Sequence, residues 1–67
     1  MRLLGRAHPV VAMTLNTLAA FQADGGDAAG ARRFQRRAVA IVERAFGTRH
    51  PKTQIAQENL VSYRRAG

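Results

Sequence analysis

The sequence predicts an all-α fold in which an antiparallel helical hairpin is followed by a third helix, in the order A–B–A. One observation is a block of the form Gly-x-x-His-Pro that occurs twice, beginning at Gly5 and at Gly47, 42 positions apart. A fixed offset of this size is typical of helical repeats. A second observation is that apolar residues between the blocks recur three and four positions apart, as on one face of a helix. At 67 residues the chain is short enough to be a single domain, residues 1–67.

Each block marks the end of one helix and the start of the next. Glycine readily adopts the left-handed conformation that ends a helix. Proline fits the first helical position because the N–H there has no partner within the helix. We therefore expect His8 and His50 at or beside the N-caps of two helices, where they cap and pack. By the same pattern, residues 1–5 are predicted to be the end of a preceding helix.

Helix A is predicted over residues 9–24. Its apolar positions form two stripes, which is typical of a helix with neighbours on two sides. One stripe consists of Val11, Leu15, Leu18 and Gln22, and the other of Val10, Thr14, Thr17 and Phe21. The turn that follows contains two glycines, and Asp27 can cap the next helix through its carboxylate. Such a short link predicts that the two helices are antiparallel.

Helix B is predicted over residues 27–46 and the second helix A over residues 51–65. In helix B we expect Gly30 to cost about 1 kcal/mol relative to alanine. The predicted buried face of helix B consists of Phe34, Ala38, Ile41 and Ala45, with Ala31 and Val42 beside it. Its opposite face carries Arg32, Arg33, Arg36, Arg37 and Arg44. In the second helix A the predicted buried or half-buried residues are Ile55, Asn59, Leu60 and Tyr63.

The composition limits the classes of function. The formal net charge is +7, which favours acidic partners unless it reflects only a compositional bias towards arginine. The chain has no cysteine, so no disulfide or thiolate metal site is expected. No apolar run reaches the roughly 20 residues of a membrane span, and the first residues are too short for a signal peptide. We therefore expect a cytoplasmic protein.

The residues that carry these patterns resemble a tetratricopeptide repeat, in the longer variety found in kinesin light chains and many bacterial repeat proteins. The resemblance covers about one and a half repeats. The first copy matches at Leu4, Gly5, His8, Pro9, Val11, Ala12, Leu15, Asn16, Leu18, Ala19, Gly26, Asp27, Ala31, Arg37, Ala38, Val39, Ile41, Glu43, Phe46 and Gly47, and the second at Gly47, His50, Pro51, Asn59 and Leu60. The chain departs from the family pattern at Gln22, Ala28 and Gln35, where the family usually has aromatic residues. It also departs at Thr17. These departures predict low stability.

The resemblance implies an α-solenoid fragment that serves as a protein–protein interaction scaffold, without catalysis or cofactor. Such arrays bind peptides or protein surfaces mainly on the concave face formed by their A helices. Carried over position by position, that face presents Met13, Asn16, Ala20 and Ala23, followed by Ile55, Glu58, Ser62 and Arg65. Asn16 is the strongest candidate, because an amide can donate to and accept from a partner's backbone.

Apolar surface is expected at both ends of the module, because each repeat covers its neighbour's apolar face. Two explanations are open. The chain either belongs to a longer array or self-associates as a homodimer or higher oligomer, and we favour self-association.

Other functions receive less support. Arg32, Arg33, Arg36 and Arg37 could bind nucleic-acid phosphates, but no aromatic residues alternate with them to stack on bases. His8 and His50 alone fall short of the three or four ligands of a zinc site. The four acidic residues offer no evident nucleophile–base–acid set, so we predict no enzyme. We do not expect helix B to lie on a membrane surface, because its apolar face is rich in alanine and has no tryptophan.

Overall fold

The computed structural model describes residues 8–66, which form three α-helices in the predicted order: α1 (Pro9–Asp24), α2 (Ala28–Phe46) and α3 (Pro51–Ala66). The predicted all-α class is therefore confirmed. Two bounds differ by one residue from the expected ranges: α2 begins at Ala28, with Asp27 as its N-cap, and α3 continues to Ala66. The expected helix end at residues 1–5 lies outside the described residues.

Both histidines of the repeated block cap a helix. His8 Nδ1 accepts a hydrogen bond from the Val10 backbone N–H at 3.1 Å, and His50 Nδ1 accepts one from the Lys52 N–H at the same distance. In most N-caps a side-chain oxygen accepts a hydrogen bond from an unpaired backbone N–H of the first turn. Here the lone pair of an imidazole nitrogen takes the place of that oxygen. The two helices of the A type therefore begin in the same way.

The link between α1 and α2 is a Schellman motif. Asp27 N–H donates to the Gln22 carbonyl at 2.8 Å, and Gly26 N–H donates to the Ala23 carbonyl at 3.0 Å. Gly26 has a φ of +89°, the left-handed conformation that this motif requires at its C′ position. Asp27 then caps α2 by accepting a 2.9 Å hydrogen bond from the Gly30 N–H. One short segment thus ends α1 and starts α2.

Helix α2 is the central helix, because it packs along both α1 and α3 while the direct contact between α1 and α3 is slight. Half of the core residues between the helices are alanines: the core consists of Ala12, Leu15, Ala38, Ile41, Val42 and Ala56. Small residues allow close approach of the helix axes. The Cα atoms span 35 × 28 × 12 Å, so the three helices form a thin layer.

Two polar side chains are fully buried between α2 and α3. Thr53 Oγ1 lies 2.7 Å from the Gly47 carbonyl and 3.3 Å from the Val42 carbonyl, and shares its one proton between them. Gln35 Nε2 donates to the Ala56 carbonyl at 2.9 Å, while Gln35 Oε1 is buried without a hydrogen-bond partner. These contacts join the end of α2 and its middle to α3.

Several predicted buried positions were wrong. Ile55 is 56% exposed, and Ala45 is also exposed. Leu18, on the first predicted stripe of α1, is 38% exposed. Arg32 is half-buried rather than fully on the outer face. The observed buried face of α2 consists of Gly30, Ala31, Gln35, Ala38, Ile41 and Val42, so it is rotated towards Gln35. The second predicted stripe of α1 faces away from α2, because α2 covers only one side of that helix.

Candidate functional site

An open groove of about 240 Å³ lies between α1 and α3, with α2 as its floor. It exists because both outer helices pack on α2 and scarcely on each other. Its volume is below the roughly 300–1,000 Å³ of small-molecule pockets, so it matches side chains of a bound chain better than a cofactor. It is lined by Ala12, Met13, Asn16, Ala38, Val42, Phe46, Lys52, Ile55 and Ala56.

The two walls of the groove carry one large apolar side chain each. Met13 on α1 is 67% exposed, and Ile55 on α3 is 56% exposed. The two residues lie 42 positions apart, so they occupy the same position in the repeated pattern. The flexible Met13 thioether side chain can adjust to differently shaped partners. Two exposed apolar walls therefore face a floor of buried alanine and valine.

Asn16 and Asn59 connect the walls by a hydrogen bond. Asn59 Nδ2 donates to Asn16 Oδ1 at 3.4 Å, which is long for a hydrogen bond and therefore weak. The bond uses the Asn16 oxygen and leaves its Nδ2 amide able to donate to another group. Asn16 is half-buried and lines the groove. It can therefore contact a backbone carbonyl of a bound chain.

One end of the groove is positively charged. The Lys52 ammonium lies 5.5 Å from the centre of the Phe46 ring, which places the cation over the aromatic face. This contact holds an otherwise flexible side chain beside the apolar floor. The groove therefore combines apolar walls, one amide and one cation.

The structure brings together three of the eight residues predicted for the concave face, since Met13, Asn16 and Ile55 line the groove. The other five do not line it. Ala23 is half-buried, and Ala20, Glu58, Ser62 and Arg65 are exposed.

Sequence reasoning missed the floor and the charged end of the groove as site residues. The floor residue Ala38 was predicted to be buried as a packing residue, and its small size is also what leaves space above it. Lys52 gave little signal, because the 42-residue offset aligns it with the apolar Val10.

The predicted anion-binding residues lie elsewhere, on α2. Arg33, Arg36 and Arg37 are exposed and Arg32 is half-buried. Nothing in the described part of the chain groups three or more His, Cys, Asp or Glu side chains for a metal ion. Among the helices of residues 8–66, none is long and apolar enough to cross a membrane.

Comparison with known protein families identifies a repeat family. A family model described as tetratricopeptide repeat matches residues 11–52, well over half of the chain. The matched residues include most of α1 and all of α2, and therefore one wall and the floor of the groove. No curated protein and no solved structure matches the chain.

Proposed function

This chain belongs to the tetratricopeptide repeat family, a non-catalytic fold that generally mediates protein–protein interactions, and on that premise we propose that it binds a segment of a partner protein in the groove between α1 and α3. The observation that carries the proposal is the pair of exposed apolar walls. Met13 and Ile55 remain more than half exposed although they face a floor of buried side chains. Exposed apolar surface with a polar rim is typical of an interaction site.

The bound segment presents an apolar side chain flanked by acidic residues. The apolar side chain fits the space between Met13 and Ile55, and a backbone carbonyl accepts from Asn16. Lys52 at the end of the groove and the net charge of +7 favour acidic neighbours. The remaining residues predicted for the concave face, Ala20, Ala23, Glu58, Ser62 and Arg65, extend the same surface beyond the groove.

The 42-residue offset between the repeated blocks supports assignment to the longer repeat variety typical of kinesin light chains. Residues 1–67 are proposed to form one module of this kind. We also propose that the module self-associates, since Val10, Phe21 and Val61 are exposed apolar residues outside the groove. The groove and the self-association surface are then separate.

Peptide binding tests the groove. A set of blocked decapeptides with a central leucine or methionine flanked by aspartates would be titrated by fluorescence polarisation, beside peptides with a central alanine. Peptides with an apolar centre are expected to bind. Met13→Glu is expected to lower the affinity for these peptides by at least about ten-fold, as at a buried interface position. Phe21→Glu is the matched control, because it adds the same charge to the same helix away from the groove. Equal binding to Met13→Glu and the wild type, or no binding by any peptide, would overturn the proposal.

A further inference from the structure

The face of α1 that points away from α2 forms a continuous exposed stripe. The outer stripe of α1 consists of Val10, Thr14, Thr17 and Phe21, which follow one another at three- and four-residue spacing. Val10 is 47% exposed and Phe21 is 77% exposed, and both threonines are exposed. Leu18 lies beside the stripe at 38% exposure. This surface belongs neither to the core nor to the groove.

The outer stripe is more apolar than its sequence implies. Thr14 Oγ1 donates to the Val10 carbonyl at 3.2 Å, and Thr17 Oγ1 donates to the Met13 carbonyl at 3.1 Å. Because each hydroxyl proton is bonded within the helix, covering these side chains leaves no donor unsatisfied. The threonine methyl groups can then pack between Val10 and Phe21.

Helix α1 is also almost free of charge, which is unusual in this chain. From Pro9 to Ala23 it has no acidic or basic residue, and only Asp24 at its end is charged, although the chain carries a net +7. The arginines of residues 8–66 lie on α2, in the link after it and on α3, so none belongs to the outer stripe. Two copies can therefore meet through this stripe without placing an arginine of α1 in the contact.

We propose that the outer stripe of α1 binds the same stripe of a second copy, in an antiparallel pair about a two-fold axis. This inference rests on the self-association included in the proposed function and names its surface. An isologous interface requires that residue i contacts residue j and that j contacts i. The stripe meets this condition: Val10 of each copy faces Phe21 of the other, and Thr14 faces Thr17.

Size and charge complementarity fit this arrangement. Small threonines at the centre allow close approach, while the larger Val10 and Phe21 fill both ends. In an antiparallel pair, Asp24 lies near the positive N-terminal end of the partner helix, which is favourable. A helix of 16 residues is about 24 Å long, so this pair buries less than the roughly 800 Å² per partner of a standard interface. The dimer is therefore readily reversible.

Sedimentation equilibrium of the full chain, from micromolar to millimolar concentration, tests the surface. The wild type is expected to dimerise, and Phe21→Glu is expected to raise the dimer dissociation constant by at least about ten-fold. Gln54→Glu, on the exposed surface of α3, adds the same charge away from α1 and is expected to change it less than about two-fold. Because net repulsion between copies is screened by salt, added salt should strengthen the dimer. Circular dichroism of each variant checks that the monomer stays helical.

Crosslinking tests the antiparallel orientation, since the chain has no cysteine of its own. In this arrangement the two copies of residue 10 lie about 16 Å apart along the helices, whereas residue 10 lies opposite residue 21. A thiol crosslinker shorter than that distance should join Val10→Cys chains to Phe21→Cys chains, but not Val10→Cys chains to one another. The reverse pattern would overturn the orientation.

The outcomes separate this inference from the proposed function. A monomeric wild type at all concentrations would overturn self-association altogether. A dimer that persists in Phe21→Glu would overturn only the assignment of the surface. Peptide binding in the groove does not depend on either result, because Phe21 lies away from it.

Discussion

The imidazole of His50 stacks on the ring of Phe46 across the link between α2 and α3, with ring centres 4.5 Å apart and planes inclined by 26°. The same imidazole caps α3 through its Nδ1 atom. One side chain therefore performs two tasks, since it satisfies a backbone N–H of α3 and fixes α3 against the end of α2. Its position explains why an aromatic residue, Phe46, directly precedes the second Gly-x-x-His-Pro block.

Replacement of His50 should separate these two contributions. His50→Ala loses the cap, about 1 kcal/mol, and the ring stacking, about 0.5–1.5 kcal/mol, so we expect the free energy of unfolding to fall by about 2 kcal/mol. His50→Asn keeps a capping acceptor and should lose only about half as much. Urea denaturation monitored by circular dichroism measures both. Equal losses in the two variants would show that the cap contributes nothing.

Gly30 should behave differently from an ordinary glycine within a helix. Helix propensity alone predicts that Gly30→Ala adds about 1 kcal/mol of stability. A Cβ atom at this position would lie 2.8 Å from Asp27 Cγ, however, so the capping carboxylate would have to move. We expect Gly30→Ala to be neutral or destabilising, because loss of the cap costs about 1 kcal/mol.

A double-mutant cycle checks this prediction. In the Asp27→Ala background the carboxylate is absent, so Gly30→Ala should recover its full gain of about 1 kcal/mol. Thermal unfolding of the four chains gives the coupling energy. Additive effects would contradict the proposed clash between the new Cβ atom and the cap.

Gln35 is a buried side chain whose removal should stabilise the protein. Its Oε1 atom has no partner, which costs about 1–3 kcal/mol, whereas its one hydrogen bond contributes about 0.5–1.5 kcal/mol. Gln35→Met has a similar shape without polar atoms, so we expect the free energy of unfolding to rise by about 1 kcal/mol. Gln54→Met, on the exposed surface of α3, should change it by less than about 0.5 kcal/mol. A clear loss in Gln35→Met would contradict the absence of a partner for Oε1.

Local chemistry made the helix ends predictable from the sequence. Gly26, Asp27, His50 and the prolines act on backbone groups within a few positions of themselves, so no knowledge of the tertiary structure was needed. The number, order and approximate bounds of the helices follow from such residues. The 42-residue offset then indicates that the second half of the chain repeats the pattern of the first half. The tetratricopeptide fold was therefore predictable before any tertiary contact was known.

Burial was less predictable, because it depends on which neighbours a helix has. Ile55 was expected to be buried, but α1 and α3 scarcely contact each other above α2, so Ile55 faces the groove instead of the core. Gln35 reads as polar, yet it lies in the centre of the α2 face that α3 covers. The groove arises from this lack of contact between α1 and α3, which the apolar pattern within a single helix does not predict.

The arginine face of α2 offers the last prediction. Arg33 is three positions from Arg36 and four from Arg37, and all three are exposed, so like charges repel by about 0.2–0.5 kcal/mol per pair. Arg33→Glu replaces two repulsive pairs by attractive ones, so each pair changes by about twice that amount, and the free energy of unfolding should rise by about 0.8–2 kcal/mol at low salt. Arg44→Glu is the control: Arg44 lies in the last turn of α2, where a positive charge is favourable and a negative one unfavourable, so its reversal should destabilise by about 0.6–2 kcal/mol. Urea denaturation at low and high salt measures both, and the gain of Arg33→Glu should shrink as salt screens the charges. A gain that persists unchanged at high salt would contradict this electrostatic origin.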